Sequence, residues 1–129
     1  MLTAVRSSFR RYVRVPCQVV REHDFKLVGD LGLDLSTNGM RVRGLTNVLS
    51  GEEVVVSFKP PRSNTYIDLS AIVARVLHGR RPGDRGLAFG LEFEGVSKDI
   101  HEFLFEHLRG LSPAEALRPL RPLAAASVA

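Results

Sequence analysis

Cysteine occurs once in this 129-residue chain, as Cys17, so no internal disulfide can staple the fold. No Cys or His stands near it at metal-ligand spacing, and its apolar strand position predicts a buried, inert thiol. Also missing is any apolar run approaching the ~20 residues of a membrane-spanning helix. The opening stretch MLTAVRSSFRRYVR has neither the apolar core nor the small-residue cleavage site of a secretory signal, so the expectation is a cytoplasmic protein. Catalytic signatures are absent too. There is no Gly-x-Ser-x-Gly, no P-loop, no dinucleotide fingerprint and no acid pair in the setting of a catalytic dyad. His23, His78, His101 and His107 are scattered without metal-site spacing. Neither an enzyme nor a bound metal or cofactor is expected.

What the chain does have is length for one domain with a core, and apolar content of 44% to fill it. Its net charge of +4 is unevenly placed. Residues 1–14 carry Arg6, Arg10, Arg11 and Arg14 with no acid, while residues 15–108 hold 11 basic and 13 acidic side chains. The basic character is therefore an arm of arginine on a slightly acidic body. A general nucleic-acid binder spreads its cations over a face, whereas a concentrated set of guanidiniums suits bidentate capture of a compact anion.

From Val13 onward, apolar residues recur with period two, the signal of half-buried strands. Val13, Val15, Cys17 and Val19 share one face. Leu27, Leu31, Leu33 and Leu35 are expected to continue on the core side of a second strand, with Asp34 and Ser36 about 7 Å apart on the outer face. Asn38-Gly39 reads as a turn through positive φ, leading to Met40 and Val42 in a third strand. Val54 to Phe58, Ile67 to Leu77 and Leu87 to Phe93 complete the set, with residues 79–86 as a hairpin connection. Short strands at this spacing predict a barrel or a tight sandwich. After Gly95 the period changes to that of a helix, with Ser97 as N-cap, Ile100, Phe103, Leu104 and Leu108 on one face and Gly110 as the stop. The division that follows is a flexible basic arm over 1–12, a barrel plus helix over 13–111 and a partly disordered tail over 112–129.

Two short patterns narrow the function. Arg10 and Arg14 form an RxxxR, and Asp34-Leu35-Ser36-Thr37-Asn38-Gly39 forms a DxSxxG. In that order, with a GLxF-like last strand at Phe89-Gly90-Leu91-Glu92-Phe93 and a closing helix, they resemble the PilZ domain over roughly residues 8 to 110. The resemblance implies a mainly β fold, a six-stranded antiparallel β-barrel followed by an amphipathic helix, and binding of the bacterial second messenger cyclic di-GMP. It implies that Arg10, Arg14, Asp34, Ser36 and Gly39 form the ligand site, and Arg11, between the two arginines, is expected to add a contact to a phosphate or to a second, stacked ligand molecule. Arginine can bridge guanine O6 and N7 or grip a phosphate, and a carboxylate can accept from guanine N1–H and N2. Arg6 with Arg10 is an alternative register for the arginine pair.

Ligand capture by the arm would then create a surface for an unidentified downstream protein. A barrel that keeps the fold but acts as a ligand-independent adaptor is the alternative. Binding of single-stranded nucleic acid ranks last, because most of the Tyr and Phe residues fall on inward phases.

Overall fold

The computed structural model describes residues 10–77 and 87–111. Six strands and one helix follow in order: β1 (Arg11–Arg21), β2 (Lys26–Leu35), β3 (Gly39–Gly44), β4 (Glu53–Phe58), β5 (Ile67–Leu77), β6 (Ala88–Glu94) and α1 (Lys98–Leu108). Every pairing is antiparallel, and the strands close in the order β1-β2-β3-β6-β5-β4, with β4 returning to β1. Closure leaves no unpaired edge. The expected barrel is realised, and the sandwich is excluded. The expected 79–86 connection, the arm before Arg10 and the tail after Leu111 lie outside the described residues.

Alternation dictates what fills the barrel. Val13, Val15, Cys17 and Val19 of β1 are buried, as are Met40 and Val42 of β3, Val54, Val56 and Phe58 of β4, and Ile67, Leu69, Ala71 and Val73 of β5. Phe89 and Leu91 complete the wall from β6. Each fully buried aliphatic or aromatic side chain contributes about 1.5–3 kcal/mol of transfer free energy, so this single cluster is the main source of stability.

β2 departs from the expected phase. Leu27 is 42% exposed and Leu31 and Leu33 are only partly buried, while Val28 is fully buried. The cause is the register shifts that β2 carries toward β3, between Gly29 and Leu31 and between Gly32 and Asp34. Each irregularity moves later side chains across the sheet, so a uniform period along Leu27–Leu35 does not hold. Only Leu35 keeps its predicted core position.

The helix begins as its sequence dictates, with the Ser97 hydroxyl accepting from the Ile100 amide and Asp99 in the first turn. Leu104 and Leu108 enter the barrel core, and Ile100, Phe103 and Leu111 pack against it. Its far end is held by two arginines. Arg62 donates to the carbonyls of His107 and Arg109, and Arg11 donates to that of Leu111 at 2.9 Å, which satisfies oxygens that the ended helix leaves without partners. Gly110 takes φ of 81° just beyond, as a helix stop requires. The start of β1, the β2–β3 turn and the helix C-terminus therefore meet at one end of the barrel. At the other end, Arg21 ties the β1–β2 hairpin to the β3–β4 connection through Asp24, Glu52 and the Asn47 carbonyl.

Candidate ligand site: two arginines on one carboxylate

Asp34 is the centre of the site. Its neighbour Leu35 is in the core, so Asp34 faces outward, yet it is only 2% exposed. Two guanidiniums cover it. Arg10 donates through Nη1 to Oδ1 and Oδ2 at 3.3 and 3.2 Å. Arg41 donates its backbone amide to Oδ1 at 3.1 Å, and its Nε at 3.3 Å and Nη2 at 3.2 Å approach Oδ2. A carboxylate offers about four lone-pair directions, so these contacts saturate it. Asp34 lies on the outer face of β2, beneath two arginine side chains.

The DxSxxG turn folds around the serine. Ser36 Oγ accepts from the amides of Asn38 and Gly39, both at 3.1 Å, and Ser36 N–H donates to the Gly39 carbonyl at 2.9 Å. Neither Asn38 nor Gly39 is among the residues with positive φ, so the predicted turn chemistry is replaced by another reason for glycine. A Cβ on Gly39 would lie 2.1 Å from the Leu91 carbonyl oxygen, so only glycine lets β3 meet β6 at this point. Thr37 is 4% exposed, and its Oγ1 is the buried side-chain polar atom without a hydrogen-bond partner among the described residues.

The six residues picked out from sequence are brought together unequally. Arg10, Tyr12 and Arg14 alternate with buried Val13 and Val15 and so share the outer face of β1, where Tyr12 is paired with Asp34. Arg14 is exposed and has no hydrogen bond or ion pair among the described residues. Arg11 takes the other phase of the strand and reaches the Leu111 carbonyl. Arg6, the alternative partner of Arg10, lies outside the described residues.

Two further residues were missed. Arg41 is the cross-strand neighbour of Asp34, a position that follows once Leu35 is paired with Met40 across the turn. Tyr12 is 58% exposed between the two arginines. The expectation that aromatics point inward is corrected in part, since Tyr12, Phe25, Tyr66 and Phe105 are all more than half exposed. Only Tyr12 of these is paired with a motif residue; Phe25 tops the opposite hairpin.

Burial raises the Cys17 thiol to about 12, with the Asp30 carboxylate adding to the effect. No group of His, Cys, Asp and Glu among the described residues could hold a metal ion, and no helix there is long and apolar enough to cross a membrane.

The fold is a small closed barrel, capped by a helix and carrying two arginines on a buried carboxylate at its rim. The PilZ domain family profile matches residues 4–110, and the chain belongs to that family. No curated protein sequence matches the chain. Among solved structures it is similar to the inhibitor of motility MotI/DgrA of Bacillus subtilis, at 19% identity and a TM-score of 0.65 over 80% of this chain. It spans about half of that protein, 49% of its length. It is also similar to the PilZ domain with c-di-GMP of YcgR from Escherichia coli, at 16% identity and a TM-score of 0.62, covering 81% of this chain and 88% of that one. The PilZ domain of CeSA from a cellulose-synthesizing bacterium matches at 14% identity and a TM-score of 0.55, covering 77% and 93%. At these identities the likeness is one of fold.

Proposed function

We propose that the chain is a cyclic di-GMP receptor of the bacterial cytoplasm that passes the signal to another protein and carries out no chemistry itself. The observation that supports this most is the contact of Arg10 with Asp34, which joins the RxxxR and DxSxxG motifs across 24 positions of sequence. Guanidiniums that already rest on one carboxylate are oriented before ligand arrives, so less side-chain freedom is lost on binding. Arg10 and Arg14 would take the phosphodiesters and the O6/N7 edge of a guanine, while Tyr12 offers an aromatic face between them. Asp34 would accept from a guanine N1–H and N2 when one arginine moves from it to the ligand, and the Ser36–Gly39 turn would hold the strand ends in place. Arg11, beside Arg10 in sequence and bonded to Leu111, would carry a change in the arm to the end of the helix, altering the surface a partner protein meets.

One feature favours the adaptor alternative: the acceptors of Asp34 are filled by the protein's own arginines. Calorimetric titration with cyclic di-GMP decides. The receptor gives heat that is lost in Arg14→Ala, whereas no heat with the unaltered protein, or unchanged affinity in Arg14→Ala, rejects this reading of the site.

A further inference from the structure

The end of the barrel away from the motifs carries an apolar surface that the core does not use. Phe25 is 83% exposed and Leu49 69%, with Leu27 and Leu45 close to half. They come from the β1–β2 hairpin and the β3–β4 connection, which hydrogen bonds hold together. Asp24, beside Phe25, is bonded to Arg21, which also reaches Glu52 and the Asn47 carbonyl, and Glu52 in turn accepts from the Leu49 amide. On the other flank the Leu45 amide donates to the Val28 carbonyl, next to Leu27. The backbone at Phe25 adds a second observation. Its φ is 56°, in the left-handed region where a bulky side chain is an outlier and glycine would sit without strain. An exposed aromatic held in such a conformation adds nothing to the barrel, and residues strained in this way cluster where a protein grips something else.

Charge and reach indicate what covers it. Glu22, Asp24, Glu52 and Glu53 stand at this end against Arg21 and Lys26, four acids to two cations, a balance of −2. A complementary segment is apolar, basic and free of acids. Residues 117–123, Leu-Arg-Pro-Leu-Arg-Pro-Leu, have that composition. Pro119 and Pro122 disfavour a helix, and in an extended chain of this kind every third side chain shares an edge, so the leucines fall on one side and the arginines on the next. The segment departs from Leu111, whose carbonyl is bonded to Arg11 at the start of β1. Arg21 closes the same strand, and β1 spans at most roughly 33 Å between them. An extended chain covers about 3.3–3.6 Å per residue, so from Leu111 it reaches roughly 30 Å at Leu120 and roughly 40 Å at Leu123. Leu120 and Leu123 therefore arrive at the apolar surface, and Leu117 falls short of it.

We infer that residues 117–123 dock in cis on the end of the barrel away from the motifs. Leu120 and Leu123 pack against Phe25, Leu45 and Leu49, while Arg118 and Arg121 face the acidic rim. A partner protein that meets this end has to displace the segment first. Docking of this kind does not depend on cyclic di-GMP.

The test is nitrogen–proton correlation NMR of the full chain, comparing the unaltered protein with the double variant Leu120→Ser/Leu123→Ser, with Arg121→Glu and with Phe25→Gly. The first two alter positions beyond the barrel and its helix, and glycine suits the φ of residue 25, so the fold is preserved in all three. The double variant is expected to move the amide signals of Phe25, Leu27, Leu45 and Leu49, and Arg121→Glu those of Asp24 and Glu52. Phe25→Gly is expected to move the signals of residues 117–123 and to lower their heteronuclear NOE, as the freed segment gains fast motion. Changes confined to residues 112–129 in the double variant overturn the docking. Unmoved signals at residues 117–123 in Phe25→Gly overturn it too. Shift differences at Phe25 and Leu49 that vanish on dilution assign the contact to a second copy and also reject docking in cis.

Discussion

Asp34 holds Arg41 at both of its ends, taking the backbone amide on Oδ1 at 3.1 Å and the Nε on Oδ2 at 3.3 Å. With Arg10 on the same oxygens, the carboxylate is at once a strand-pairing element of β2 and β3 and the mount for two guanidiniums. The site is therefore part of the barrel's structure and not an addition to it.

Removing that carboxylate should affect stability as well as binding. Asp34→Ala strips the partner from two arginines and a backbone amide, and an expected loss of about 2 kcal/mol reflects charged hydrogen bonds to groups that remain partly hydrated. Urea unfolding measures it. Arg14→Ala, by contrast, removes an exposed side chain without partners among the described residues, so its unfolding curve should superimpose on that of the unaltered protein. A fully stable Asp34→Ala would mean that the arginines find other partners and that the mount is dispensable.

Gly39→Ala is expected to be among the most damaging single substitutions in the barrel. The added Cβ would stand 2.1 Å from the Leu91 carbonyl oxygen, a backbone atom fixed by the β3–β6 ladder. Relief requires the two strands to separate where Gly39 is paired with Glu92. A loss on the order of 3 kcal/mol follows, read from chemical denaturation. A loss within a few tenths of a kcal/mol would show that this end of the barrel is far softer than its packing implies.

The glycine also marks the limit of what the sequence shows by itself. Strands β1, β3, β4 and β5 follow a single alternation, and their core residues can be read directly. β2 cannot be read this way, because bulges beside Gly29 and Gly32 shift its phase, and bulges leave no period to detect. In the site, the motif spellings point to Asp34 and the arginines, but not to Arg41, which lies past the last motif residue. Its role arises from pairing across the turn, and charge complementarity between positions 34 and 41 is the local signal that carries it. Gly39 itself is visible in sequence for the wrong reason, as a turn former, when the need comes from β6, distant in the chain.

Thr37 gives the opposite prediction. Its hydroxyl is buried without a partner among the described residues, so Thr37→Val replaces a desolvated polar group with a methyl of similar shape. Stability is expected to rise by about 1 kcal/mol in urea unfolding. A destabilised variant would reveal that the hydroxyl is bonded in solution.

Cys17 should resist alkylation in the folded protein. It lies within the β1 wall at 8% exposure, and burial, followed by the repulsion of Asp30, lifts its thiol to about 12. Very little thiolate exists at pH 8, and thiolate is the reactive form. Iodoacetamide labelling followed by mass spectrometry should be slow in buffer and rapid in denaturant. Fast labelling of the native chain would mean that β1 opens readily from its neighbours.

Acid should loosen the end of the barrel away from the ligand site first. The bidentate pairing of Arg21 with Asp24 holds the Asp24 carboxyl down at about 2, against an ordinary 3.8. Glu52 is lowered as well: burial pushes its carboxyl up, but the Leu49 amide and Arg21 together outweigh that. A carboxylate with a depressed folded value contributes stability that is complete above its unfolded value and disappears as pH falls through the folded one. For Asp24 that window lies between about pH 4 and pH 2, and the contribution shrinks in high salt because the pair is solvent-facing. Thermal melts across this range should show a decline that is smaller in Arg21→Ala, where the carboxylates have already lost their partner. Equal slopes in the two proteins would assign the acid sensitivity to other carboxylates and leave the Arg21 junction without a part in it.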